Sequence, residues 1–340
     1  MELITNATVD WRVLHGAHFH GAKVLVTGGA GFIGSHLAEA LAALGAEVVV
    51  IDDLSGGSPD NLAGFEPVRL VEGSILDQPL LANCMDGCRY VFHQAALGSV
   101  PGSVEQPRRY HDANTTGTLN VLEAARAAGV TRLMFAASAS AYGENGVPWV
   151  ETMPVQAKSP YAATKIAGEA LCAAYAANYA LDAAPLRYFN VFGPRQNANS
   201  AYAAAIAAFA KALFAGRRPA IFGDGEQTRD FIFVRNVVHA NLLAARHTGR
   251  INGQVLNVGC GTRISVNQLV RQMSEAIGRT DLAPDHRPER AGDLKHSYAD
   301  VCRARDVLGF SPVVDFVPGL RETLDWYAAA CAGAAAPVPG

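Results

Sequence analysis

The chain is sparing with charge and never concentrates one sign of it. Asp, Glu, Lys and Arg make up 17% of the 340 residues, and the formal net charge is -3. Basic residues do not run on beyond a pair or two, so the footprint of a nucleic-acid or membrane-surface binder is missing. No apolar run is both long enough and free enough of charge to span a bilayer. The opening stretch, MELITNATVDWRVLHGAHFHGA, lacks a basic segment followed by an apolar core, so no signal peptide is read and a cytoplasmic location is expected. Cysteine is scarce and scattered: Cys84, Cys88, Cys172, Cys260, Cys302 and Cys331. Cys84 and Cys88 form a C-x3-C, but no second pair completes a tetrahedral site. No metal is expected, and the thiols read as reduced.

What the chain has in quantity is alternation. Residues 1–21 carry no sustained period; His15, His18 and His20 raise the question of a metal, and a loose N-terminal extension is the expectation. KVLVTGG then reads as a strand, AGFIGSHLAEALAALGA as a helix with Leu37, Leu41 and Leu44 on one face, and EVVVID as a second strand. A βαβ unit of this length builds parallel sheets. RLVEG, RYVFHQAA, RLMFAAS and APLRYFNVFG continue the strands, with TTGTLNVLEAARAAG and ATKIAGEALCAAYAANY as helices among them. The fold class expected is α/β, a Rossmann-type doubly wound parallel sheet over residues 22–189. Residues 190–327 read as a smaller C-terminal domain partly interwoven with the first, and 328–340 as a flexible tail.

The turn after the first strand is TGGAGFIG. Gly28, Gly31 and Gly34 let the backbone turn tightly and approach a pyrophosphate, with Phe32 and Ile33 opening a helix whose N-terminus offers free N–H groups. Glycines alone are weak evidence. Here they follow a strand, open a helix and precede Asp52 and Asp53 at the end of the second strand, the dinucleotide-binding arrangement. A carboxylate at that place accepts from both ribose hydroxyls and repels a 2′-phosphate, which favours NAD over NADP.

A second motif is SPYAATK. Ser159 suits an N-cap and Pro160 the first helical position. Tyr161 and Lys165 are then i and i+4, on one face. An ordinary surface pair has the same spacing. Near a cofactor, however, an ammonium and a helix N-terminus would favour a phenolate, which a free tyrosine with a pKa of about 10 does not supply at neutral pH. FAASASAYG places Ser138 and Ser140 at the C-terminal end of a strand, where such sheets bind ligands. Serine to hold a hydroxyl, tyrosine to take its proton and lysine to tune the tyrosine form a hydride-transfer set.

TGGAGFIGSH, HQAALGSVP, the small-residue strand before AYG, YAATK, LRYFNVFGPRQ, GDGEQTRDFIFV and RAGDLKHSYADV together resemble the extended short-chain dehydrogenase/reductases. Within them the chain is most similar to the UDP-hexose 4-epimerases, especially the UDP-N-acetylglucosamine 4-epimerase branch, over residues 22–327. The resemblance implies a tightly bound NAD, regenerated each turnover. Its contacts would be Gly28, Gly31, Phe32, Ile33, Gly34, Asp52, Asp53, Ser74, Ile75, Gln94, Ala95, Ala96, Asn114, Ala136, Tyr161, Lys165 and Tyr188. It implies a UDP-sugar held by Gly98, Ser138, Ser140, Tyr161, Asn190, Gln196, Ala204, Ala220, Phe222, Arg229, Arg290, Asp293 and Ser297. Arg229 and Arg290 would clamp the diphosphate, Asp293 the uridine ribose, and Ala220 and Phe222 the uracil. A homodimer through the Tyr161 helix, with its alanine-rich face of Ala162, Ala163, Ala167, Ala170 and Ala173, is also implied.

Sister reactions start with the same oxidation at C4. Dehydratases then need an acid–base pair just after the active-site serine or threonine, and UDP-glucuronate decarboxylases a glutamate there. Ala139, Ser140 and Ala141 supply no carboxylate, which leaves 4-epimerisation through a transient 4-keto sugar. Ser297, at the gatekeeper position, leaves room for an N-acetyl group, so UDP-GlcNAc/UDP-GalNAc ranks first, UDP-glucose/UDP-galactose second and UDP-glucuronate third. Ala139 and Ser74 depart from that branch, where serine and aspartate are usual. A dehydrogenase that exchanges free cofactor and a non-catalytic NAD-binding protein are the other classes considered.

Overall fold

The structure is a computed structural model that describes residues 9–197, 205–289 and 294–334. Its strands are β1 (Lys23–Thr27), β2 (Glu47–Asp52), β3 (Val68–Glu72), β4 (Tyr90–His93), β5 (Arg132–Ser138), β6 (Asp182–Tyr188), β7 (Asn190–Phe192), β8 (Ala220–Phe222), β9 (Thr228–Arg229), β10 (Phe231–Phe233), β11 (Leu256–Val258), β12 (Ile264–Ser265), β13 (Asp285–Arg287) and β14 (His296–Ser297). Its α-helices are α1 (Trp11–His15), α2 (Phe32–Ala43), α3 (Gln78–Met85), α4 (Val100–Glu105), α5 (Pro107–His111), α6 (Gly117–Ala127), α7 (Pro160–Asn178), α8 (Ala205–Phe214), α9 (Val234–Arg246), α10 (Val266–Ile277), α11 (Cys302–Leu308) and α12 (Phe316–Ala334).

Seven parallel strands form the central sheet in the order β11-β6-β5-β4-β1-β2-β3. The inner strands are buried on both faces because helices cover both, whereas the edge strand β3 exposes Arg69 and Glu72. Val24 and Val26 of β1 and Met134 of β5 pack with α2 and α9; Leu25, Leu133 and Phe135 pack on the other side with α3, α6 and α7. The strand order reverses between β1 and β4. A crevice opens there beyond the carboxyl ends of the strands, where doubly wound sheets hold ligands. The last sheet strand, β11, comes from far along the chain, so the second half returns to complete the first.

A second body gathers α8, α10 and α12 around Phe209, Leu213, Leu269, Met273 and Leu324. Three small sheets border it: β7 with β10, β8 with β13, and β9 between β12 and β14.

Two expectations need correction. APLRYFNVFG, read as one strand, is two. The chain leaves the main sheet at Phe189, whose N–H binds Val258 O, and Asn190 starts a new pairing with Phe231. The N-terminal segment, expected to be loose, is packed from residue 9 onward. Asp10 caps α1 by accepting from the N–H groups of Arg12 and Val13, and Trp11, His15 and Phe19 are buried in the core beneath β1 and α9. His15 faces His239 at 3.1 Å. Among the described residues no group of three or more His, Cys, Asp or Glu is placed to hold a metal ion, and no helix is long and apolar enough to cross a membrane.

Candidate active site

A cavity of about 1140 Å³ lies along the crevice at the ends of β1, β2, β4 and β5. One end is the glycine turn. Gly28 sits at φ +68, and a Cβ there would lie 2.7 Å from the Ala95 backbone. A Cβ on Gly34 would lie 2.1 Å from the Gly28 carbonyl oxygen. These positions admit no side chain, which keeps the turn flush with the cavity and bares the N-terminus of α2. Gly31, its N-cap, offers no capping side chain, so the first N–H groups of the helix stay available to an anion.

Asp52 ends β2 beside this turn. Its carboxylate accepts from the N–H groups of Ala30 and Leu54, each at 2.9 Å, and burial raises its pKa. With Gly31 N–H as a third donor, part of its accepting capacity is still unspent, since a carboxylate has about four lone-pair sites. Asp53 is exposed and accepts from Ser55 N and Ser55 Oγ. A cradle that excludes every Cβ, a helix N-terminus and a ribose-facing carboxylate fit the pyrophosphate and adenosine half of a dinucleotide.

The other end carries the chemistry-bearing side chains. Ser159 Oγ accepts from Ala162 N at 3.1 Å and caps α7, and Pro160 occupies its first turn. That start turns Tyr161 and Lys165 into the same cavity, with Ser138 at the tip of β5 across from them. Lys165 Nζ donates to Ala136 O at 2.7 Å, and burial pulls its pKa down to about 8. Tyr161 does not match the expectation of a phenol drawn below its ordinary value. Burial raises its pKa; a hydrogen bond with Ser138 opposes that, and Tyr110 adds to the rise. Desolvation of the phenolate outweighs the Ser138 hydrogen bond, the one group that opposes it.

Other candidates separate cleanly. Phe32, Ile33, Ser74, Ile75, Gln94, Ala95, Ala96, Gly98, Ala136 and Tyr188 line the same cavity. The Tyr188 hydroxyl meets Gln94 and Asn241, and burial pushes its pKa to about 12. Ser140 stands behind Ser138, giving its hydroxyl to Ser138 Oγ at 2.9 Å. Asn114 is not on the cavity wall. Both N–H groups of its amide go to Leu97 O and Thr164 Oγ1, and its Oδ1 accepts from Leu97 N, so it fastens the β4 exit to α7. Asn190 donates to Asp230 O and Gln196 to Val191 O, both off the cavity wall. Ala220 and Phe222 lie on β8, and Ser297, buried, pairs with Arg229 between β14 and β9. None of these four lines the cavity. Ala204, Arg290 and Asp293 lie outside the described residues. The sequence reading missed Ser55, Gly56 and Gly57 after Asp53, and Glu105, Arg108, Arg109 and Asp112 on the opposite wall. The Ser-Gly-Gly run was a visible signal for the first group; nothing local marks the second.

Comparison with known proteins is consistent with this geometry. The NAD dependent epimerase/dehydratase family matches residues 24–259. The UDP-glucose 4-epimerase of Mycolicibacterium smegmatis is 41% identical over 311 residues, spanning 90% of this chain and 98% of that protein. Among solved structures, the UDP-N-acetylglucosamine 4-epimerase of Methanobrevibacter ruminantium M1, in complex with UDP-N-acetylmuramic acid, superposes with a TM-score of 0.87 at 39% identity, covering 92% of this chain and 99% of that one. The UDP-glucose 4-epimerase of Thermotoga maritima with UDP-glucose gives 0.86 at 38%, covering 91% and 99%.

Proposed function

Because the chain belongs to the NAD dependent epimerase/dehydratase family, an extended short-chain dehydrogenase/reductase with NAD as its cofactor, we propose that it is a UDP-hexose 4-epimerase whose preferred pair is UDP-GlcNAc and UDP-GalNAc. The enzyme class is isomerase. The observation that carries the reading is the convergence of Tyr161, Lys165 and Ser138 on the cavity that also holds the glycine turn and Asp52.

Gly28, Gly31 and Gly34 would hold the NAD pyrophosphate, Asp52 the adenosine ribose, and Tyr161 with Lys165 the nicotinamide ribose. Held there, NAD would supply the hydride acceptor and donor for C4 of the sugar, with no net change of the cofactor over a turnover. The protein's part is proton handling. Ser138 holds the C4 hydroxyl, and the ionised fraction of Tyr161, which burial keeps small and the Ser138 hydrogen bond enlarges, takes its proton at Oη as the alcohol becomes a ketone. The 4-keto sugar then turns over within the cavity, and Tyr161 gives the proton back. Residues 139–142, Ala-Ser-Ala-Tyr, bring no carboxylate to abstract a C5 proton, so the chemistry ends at epimerisation.

The N-acetyl preference follows from the resemblance, which puts a small serine at the gatekeeper position; Ser297 itself is buried between β14 and β9, off the cavity wall. The glucose/galactose pair is the second reading, favoured by the name of the 41% identical relative. A homodimer belongs to the proposal. Ala163 and Ala170, seven residues apart, are exposed on one face of α7, whereas Ala162 is buried intramolecularly.

The test is an NMR assay of the purified protein on the three UDP-sugar pairs, with mass spectrometry of the cofactor released on denaturation. UDP-GlcNAc and UDP-GalNAc should interconvert fastest, with no added NAD and no net NADH. Tyr161→Phe should fold, retain NAD and be inactive. Normal turnover by that variant would overturn the mechanism; faster turnover of UDP-glucose would overturn the sugar assignment alone.

A further inference from the structure

We infer that the protein carries a second anion site, specific for a phosphate-bearing ligand of diphosphate size, at the end of the sheet opposite the active site. A cavity of about 550 Å³ opens where β4, β5 and β6 begin, at Tyr90, Arg132 and Asp182. Its cationic walls are Arg89, Arg126, Arg246 and Arg250, with His18 and His247 at the sides.

The groups that would repel an anion are already occupied. Asp182 is the single carboxylate among the lining residues. It accepts from Arg132 Nε at 2.7 Å and from the N–H groups of Ile251, Asn252 and Ala183. The carbonyl oxygens that end α9, Ala244, Ala245 and His247, accept from Arg132 Nη1. Arg250 covers the carbonyls of Ala176 and Ala180 in the same way.

The cations are less committed. Arg126 is engaged by Glu123. Arg89, Arg246 and Arg250 have no carboxylate partner among the described residues. Arg89 lies over the Tyr90 ring, 5.1 Å from its centre. Arg246 Nε is buried without any hydrogen-bond partner. Arg246 is half-buried and lines the cavity, so its uncompensated charge faces an oxyanion bound there. Guanidinium forks match the paired oxygens of phosphate better than a single acceptor, and Arg89 and Arg246, with no carboxylate or carbonyl partner among the described residues, suit more than one negative charge.

Calorimetric titration of the NAD-loaded protein with inorganic pyrophosphate tests this. The comparison set is Arg89→Gln, Arg246→Gln and, as a control, Arg271→Gln, exposed on α10 and outside both cavities. Arg89 is exposed, so its replacement leaves the core untouched even if Arg246→Gln impairs folding. The expected result is at least about tenfold weaker binding in Arg89→Gln and Arg246→Gln, and unchanged binding in Arg271→Gln. No heat of binding, or unchanged affinity in Arg89→Gln, overturns the site. Citrate competing as strongly as pyrophosphate overturns the assignment to phosphate.

Discussion

Lys165 gives its ammonium to the carbonyl oxygen of Ala136, 2.7 Å away, and its Nζ lies 5.9 Å from the centre of the Tyr161 ring one turn earlier. The bond ties α7 to β5 and fixes which way the catalytic face looks. It also means that the group drawing the Tyr161 phenol down against burial is Ser138, not the lysine. Serine therefore does two things in the proposed reaction: it holds the sugar hydroxyl and it makes the base.

Replacing Ser138 by alanine should move the phenol's ionisation further up. The limb of the kcat/KM profile that reports this ionisation is expected to shift to higher pH, and the rate near pH 7 to fall by about 10²-fold. The readout is a pH–rate profile with saturating NAD. An unshifted limb with a lowered kcat would leave serine only the role of positioning the substrate.

Gly34→Ala tests the cradle. The added Cβ would stand 2.1 Å from Gly28 O, inside the turn that the pyrophosphate must approach. Overpacking of this kind costs about 1–3 kcal/mol, and the strain falls on the cofactor site. Purified Gly34→Ala is expected to lose most of its bound NAD, measured as dinucleotide released per chain on denaturation, while circular dichroism stays close to that of the parent.

Both of these sites were legible because their signals are local. A glycine turn between strand and helix, and a Ser-Pro before a tyrosine and lysine at helical spacing, each specify their own geometry within a few residues. The switch of sheets at Phe189 was not legible, since it is decided by Val258 and Asp230, far along the chain. Asn114 is expected to contact NAD because the family resemblance implies it. Its amide is consumed by Leu97 and Thr164, a distribution that only the folded arrangement reveals. The N-terminal segment hid its buried face behind three histidines: Trp11, His15 and Phe19 are spaced by four, but only two of the three read as apolar.

The pair Arg187–Glu169 joins β6 to α7 with two hydrogen bonds of 2.7 and 2.6 Å, and both side chains are buried. Removing one partner strands the other charge. Arg187→Met is expected to lower stability by about 3–5 kcal/mol, and the double variant Arg187→Met/Glu169→Leu to recover most of that loss. Urea unfolding of the three proteins decides the point. A double variant no better than the single one would mean that the loss comes from packing against Tyr142, whose ring lies 4.5 Å from the guanidinium, and not from charge.

Acid should unfold the protein through histidines that the fold keeps neutral. His93 at the end of β4 links Thr27 Oγ1 at 2.7 Å to Thr118 Oγ1 at 2.9 Å, and burial, then the Lys165 charge, push its pKa down to about 3. His36, buried on α2, is likewise pushed to about 3, by burial first and the Arg195 charge second. In the unfolded chain each takes a proton near pH 6.5, while in the folded protein each stays neutral down to about 3. Unfolding therefore takes up protons throughout that window. Stability is fully present above pH 6.5 and falls by about 1.4 kcal/mol per pH unit for each such histidine as the pH drops. His93→Gln should be less stable at pH 7, because the links to both threonines are weakened, yet lose stability less steeply between pH 6 and 4. Denaturant midpoints at several pH values give that slope. If the slope in His93→Gln equals that of the parent, His93 is already protonated in the folded protein and its neutral bridge between the two threonines is wrong.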